Sequence, residues 1–122
     1  MSGDGGTDTP RVLVIDDDAA LLRIIRLWLS TAGLDVTTAE GGMSALDTLD
    51  RDGFDVVVLD LQMPDMDGRS FYREMNSRGY SLPVIILSAY GAEQARRELG
   101  AAAAMPKPFD PDRLVETVLS LT

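Results

Sequence analysis

Three segments of this chain are near-continuous aliphatic runs: Arg11–Ile15 (RVLVI), Asp55–Leu59 (DVVVL) and Pro83–Leu87 (PVIIL). A strand with one wet face alternates apolar and polar side chains. A run without alternation is covered on both faces, as in a parallel sheet held between two helical layers. Leu34–Thr38 (LDVTT) and Ala101–Met105 (AAAAM) complete a set of five. The last is assigned a strand by its position, because four alanines favour helix on propensity alone.

Helical periodicity fills the intervals. Over Ala19–Ala32 one stripe carries Leu21, Leu22, Ile25, Trp28, Leu29 and Ala32, with Asp18 as N-cap and Gly33 closing the helix. Trp28 reads as core on this stripe, whereas Ile24 and Leu27 fall off it and are expected to be exposed. Further helices are expected over Gly42–Arg51, Arg69–Arg78, Ala92–Leu99 and Pro111–Leu121, the last opened by Asp110 and Pro111. Strict alternation of strand and helix implies right-handed crossovers, an α/β fold and helices on both faces of the sheet. Met63, Met66 and Met105 read as gap-filling core residues.

The 122 residues suffice for one domain. Residues 1–10 are rich in Gly, Asp and Thr and read as a disordered lead-in to a domain over 11–122. A net charge of −9 disfavours direct binding to nucleic acid or to an anionic membrane. No apolar run is long enough for a membrane span, and the N-terminal segment lacks the pattern of a secretory signal, so a cytoplasmic location is expected. Without Cys or His, thiolate chemistry and Ser-His-Asp catalysis are excluded and a soft-metal site is disfavoured. Chemistry must run on carboxylates, hydroxyls and a few cations.

Ligands of open parallel sheets bind beyond the carboxyl ends of the strands. There the sequence places Asp16, Asp17 and Asp18, then Asp60, Ser88 and Lys107. Converging carboxylates repel one another and favour a hard, oxygen-loving cation such as Mg²⁺. Lys107 is the single lysine beside ten arginines. Its compact ammonium approaches an oxygen as a point charge, which a planar guanidinium does not. Carboxylates, a hydroxyl and a lysine on one edge form an inventory for phosphoryl transfer.

The segments VLVIDDD (12–18), VVVLDLQMPDMDG (56–68), VIILSAYG (84–91) and MPKPF (105–109) together resemble a response-regulator receiver domain of the two-component signalling systems. The resemblance covers nearly all of 11–122. It implies a flavodoxin-like five-stranded sheet of order 2-1-3-4-5. It further implies that Asp60 accepts a phosphoryl group from a histidine kinase or a histidine phosphotransfer protein. Asp16, Asp17, Asp60 and the main-chain carbonyl of Gln62 would hold Mg²⁺. Ser88 and Lys107 would bind the phosphoryl oxygens, with a cis bond expected at Lys107–Pro108. Pro64 and Gly68 match the turn after the phosphoacceptor, and Asp18 matches a helix cap better than a ligand. Such a domain passes its state to a downstream protein effector and catalyses only its own phosphoryl transfer and dephosphorylation.

Two features depart from the family pattern. Ala104 stands where an aromatic residue is common, and the stretch from Ser88 to Gly100 is about three residues short, roughly one helical turn. Both fall on the face through which the family often signals, so recognition is expected to be unusual or displaced, with Ile24 and Leu27 as candidates. Gln62 and Tyr90 would flank the path of hydrolytic water, and Tyr90 would shield the acyl phosphate. A phosphorylation-independent interaction module is the main alternative. An aspartyl-phosphate phosphatase of the haloacid dehalogenase type would use Asp16 instead, but the chain lacks its further acidic ligands. A flavin site is disfavoured by the acids after the first strand. Met1 favours a stand-alone regulator over an excised domain.

Overall fold

A computed structural model describes residues 9–122. The order is β1 (Arg11–Ile15), α1 (Ala19–Thr31), β2 (Asp35–Ala39), α2 (Gly42–Arg51), β3 (Val56–Asp60), α3 (Gly68–Ser77), β4 (Val84–Ser88), α4 (Ala92–Leu99), β5 (Ala103–Pro106) and α5 (Pro111–Leu121). All neighbouring strands are parallel, in the order β2-β1-β3-β4-β5. The fold expected from the strand–helix alternation and the family resemblance is the one observed. The lead-in expected over 1–10 lies, up to residue 8, outside the described residues.

The unbroken apolar runs have a simple cause. Successive side chains point to opposite faces of the sheet, and each face carries its own core. Leu13, Ile15, Val57, Leu59, Val84 and Ile86 pack with Leu46, Leu49, Phe71 and Met75 of α2 and α3. Val12, Val14, Val56, Val58, Ile85 and Leu87 pack with Leu22, Ile25 and Leu29 of α1 and with Leu114 and Val118 of α5. At about 1.5–3 kcal/mol for each fully buried aliphatic side chain, these two layers dominate the driving force for folding.

Strands β2 and β5 begin later than the sequence suggests. The Leu34 amide donates to Leu29 O at 3.1 Å, and the Ala101 amide donates to Arg96 O at 3.0 Å. Each residue finishes the preceding helix, behind Gly33 and Gly100 with their left-handed backbones. At the other end, β3 and β4 run one residue further than their apolar runs and take in Asp60 and Ser88. Trp28 is half-buried, meets Phe109 edge-on at 6.1 Å between ring centres, and is not full core. Ile24 and Leu27 are exposed, as their places off the stripe require. Met63 and Met105 are buried and Met66 is half-buried. The eight-residue α4 is the shortest helix among the described residues.

Gly68 sets the shape of the loop after β3. A Cβ there would lie 2.6 Å from the Asp60 carbonyl oxygen and 2.7 Å from Leu61 Cα. Both obstacles include backbone, so neither swings aside. We expect Gly68→Ala to cost about 1–3 kcal/mol, read as a lowered urea midpoint.

Candidate acidic phosphoacceptor site

The strand order reverses at β1, which lies between β2 and β3. That switch point opens a crevice at the carboxyl ends of β1 and β3. Asp16 follows β1 directly, and its amide donates to Ala39 O at the end of β2 at 3.1 Å. Asp60 ends β3 and Ser88 ends β4. Lys107 follows β5, and its amide donates to Ser88 O at 2.9 Å. The sheet itself therefore places Asp16, Asp60, Ser88 and Lys107 along one edge.

Carboxylate oxygens of Asp16, Asp17 and Asp60 lie within 4.8 Å of one another. Asp16 and Asp60 are buried and Asp17 is exposed. Lys107 Nζ sits 2.8 Å from Asp16 Oδ2 and 3.3 Å from Asp60 Oδ1. Asp16 Oδ1 accepts from the Asp18 amide at 3.0 Å, and Asp60 Oδ1 accepts from the Gln62 amide at 3.3 Å. Both of these Asp60 contacts use Oδ1, not Oδ2.

Burial, and then the neighbouring Asp16 charge, push the Asp60 carboxyl above its usual range, against the pull of Lys107 and the Gln62 amide. For Lys107, burial opposes the charge, but the hydrogen bond and charge of Asp16, and then the Asp60 charge, hold the ammonium above its usual value. One ammonium against three carboxylates leaves an excess of negative charge. The all-oxygen donor set suits a hard dication.

Ser88 reaches the edge but does not address Asp60. Its hydroxyl donates to Tyr90 O at 2.7 Å and accepts from the Tyr90 amide at 3.2 Å, a closed local turn. Gln62 is exposed, and Tyr90 is 80% exposed beside this turn. Asp18 caps α1, accepting from the amides of Ala20 and Leu21. The Lys107–Pro108 bond is cis. Ala104 is half-buried, pairs with Ile86 and packs against the α2–α3 core.

One contact beside the site escaped sequence reading. Asp65 Oδ1 and Oδ2 accept from the amides of Gly42 and Met43, each at 3.2 Å, at the start of α2. The signal was the pair Gly41-Gly42 opening a helix without a capping side chain of its own.

Comparison with known proteins agrees with this architecture. The family described as "Response regulator receiver domain" matches residues 12–119. Response regulator MprA of Mycolicibacterium vanbaalenii is 38% identical over 114 residues, 91% of this chain and 49% of that protein. The chain spans half or less of the length of such curated relatives. The receiver domain of Francisella response regulator 1452 superposes with a TM-score of 0.87 at 33% identity, over 93% of this chain and 96% of that one. Response regulator TrrA from Thermotoga maritima, solved in complex with Mg²⁺ and BeF, superposes at 0.83 with 28% identity, over 93% and 100% of the two chains. No helix among the described residues is long and apolar enough to cross a membrane. By sequence, fold and the acidic edge of its sheet, the chain belongs to the response regulator receiver domain family.

Proposed function

We propose that this chain receives a phosphoryl group on Asp60 from a phosphohistidine of a histidine kinase or phosphotransfer protein. The observation that carries the proposal is the buried Asp60 carboxylate, flanked by Asp16, Asp17 and the Lys107 ammonium at the switch point of the sheet. Asp60 Oδ2 attacks phosphorus, an O–P bond forms, and the N–P bond to the donor imidazole breaks. The imidazole leaves with the electron pair and takes a proton from solvent to end neutral. Lys107 Nζ stabilises the charge on the transferring oxygens. Asp16, Asp17, Asp60 and the Gln62 carbonyl would hold Mg²⁺. A bound Mg²⁺ neutralises developing charge on the phosphoryl oxygens. TrrA, solved with Mg²⁺ and BeF, lends support from a relative of the same fold.

Ser88 completes the site by leaving its turn. Its hydroxyl gives up Tyr90 O and donates instead to a phosphoryl oxygen, which frees the segment after β4. Phosphorylation of wild type is expected to shift the Tyr90 and Gly91 amide resonances. Ser88→Ala should still take the adduct but lose most of that loop response, read in two-dimensional NMR spectra.

The reaction is a signalling event and not a turnover activity. Its readout is a protein effector or an attached output segment. The chain's negative charge speaks against direct contact with nucleic acid. Ala104, in place of an aromatic switch, favours one alternative: a receiver-like module that binds its partner without phosphorylation. Intact mass after treatment with a small phosphodonor decides between them. A single adduct that requires Mg²⁺ supports phosphorylation, and none on wild type supports the alternative.

A further inference from the structure

The geometry points to Asp65 as a positioning residue for the metal site, acting by pinning the loop that carries Gln62 to the start of α2. This inference rests on the magnesium reading above. The loop is closed at its base, where the Gly68 amide donates to Leu61 O at 2.8 Å. Its tip is held by Asp65 alone among the charged groups of the loop. Both Asp65 oxygens accept main-chain amides, from Gly42 and Met43. Those amides are among the unpaired donors of a helix whose own N-cap, Gly41, makes no side-chain bond. The fit is close. A Cβ on Gly41 would lie 2.7 Å from Asp65 Oδ2, and one on Gly42 would lie 2.9 Å from Met66 Cβ. Two successive glycines thus make room for the loop to dock.

The Met43 amide, and with it the Gly42 amide, hold the Asp65 carboxyl below its usual range against the opposing effect of burial, so it stays charged at neutral pH. The start of α2 is in turn tied to the acidic pair, because Ala39, just upstream, accepts the Asp16 amide. Asp65 therefore closes a circuit. It runs from Asp16 through the end of β2 and the start of α2 to the loop holding Gln62, and back to Asp60. A partner that orients a ligand without touching the metal typically changes affinity about 10–100-fold when lost.

The test is Mg²⁺ titration of the unphosphorylated protein by calorimetry. Asp65→Ala is expected to weaken binding about tenfold, with faster hydrogen exchange at the Gly42 and Met43 amides. Asp65→Asn keeps one acceptor oxygen and should recover part of the affinity. It also keeps the test decisive if the alanine variant does not fold. Asp50→Ala is the control, since it removes the Arg78 and Tyr80 contacts at the opposite end of α2. It should lower the melting midpoint while leaving Mg²⁺ affinity at the wild-type value. Wild-type affinity in Asp65→Ala and Asp65→Asn would overturn the inference, as would an equal loss in Asp50→Ala. Failure of wild type itself to bind Mg²⁺ would remove the metal reading and this inference together.

Discussion

Asp60→Asn is expected to abolish the phosphoryl adduct and, without Mg²⁺, to make the protein more stable at neutral pH. The first effect is a complete loss in intact-mass spectra, because the amide is no nucleophile. An adduct that persists in Asp60→Asn but disappears in Asp16→Asn would instead indicate aspartyl-phosphate chemistry at Asp16. The second effect follows from electrostatics. Burial and Asp16 raise the Asp60 pKa in the folded state, so its ionised form is disfavoured by folding. The stability linked to this group is present below the unfolded pKa, about 4, and is lost as pH rises through the higher folded value. The advantage of the variant over wild type should therefore be largest at pH 7 and shrink as pH falls toward 4. Melting curves across that range measure it. Saturating Mg²⁺ should reverse the order, since a ligand at a hundredfold excess over its dissociation constant adds about 2.7 kcal/mol to wild type.

Lys107→Ala should be among the most damaging changes outside the aliphatic core. It leaves Asp16 and Asp60 facing each other with Asp17 close by and no protein cation between them. Removing one partner of a buried ion pair costs about 3–5 kcal/mol. Lys107 retains a quarter of its side-chain exposure, so the low end applies. The expected signature is a lowered urea midpoint that Mg²⁺ partly restores, because a dication supplies the missing charge. A variant as stable as wild type in chelator would mean that water, not Lys107, screens these carboxylates.

Much of this architecture is legible in the amino-acid order because two sheet faces demand two cores. RVLVI, DVVVL and PVIIL have no polar alternate, and that alone implies layers on both sides. Asp18 and Asp110 mark helix starts by the same local chemistry that they perform in the fold. Other details depend on distant partners. Where Leu34 and Ala101 belong was decided by helix closure behind a glycine, which overrides their place in an apolar run. Trp28 lies on the buried stripe of α1 yet meets Phe109 near the surface, a contact set by how α5 packs. The acidic cluster was visible as residue types at strand ends, whereas the inward turn of the Ser88 hydroxyl onto Tyr90 depends on a rotamer. Asp65 was hidden for a different reason: its partners are amides 22 and 23 positions upstream.

The scarcity of lysine has a chemical consequence. Lys107 is the sole side-chain amine in the chain, and it lies between two buried carboxylates. Reductive methylation with isotope-labelled formaldehyde would give one side-chain signal, already located beside the acidic cluster. Acylation is a different matter. Any acetyl or carbamoyl group placed on a lysine of this chain lands on the ammonium that counters the acidic cluster and cancels its charge. The chain has no second lysine to take up such chemistry, so acylation of its one side-chain amine removes the countercharge of Asp16 and Asp60.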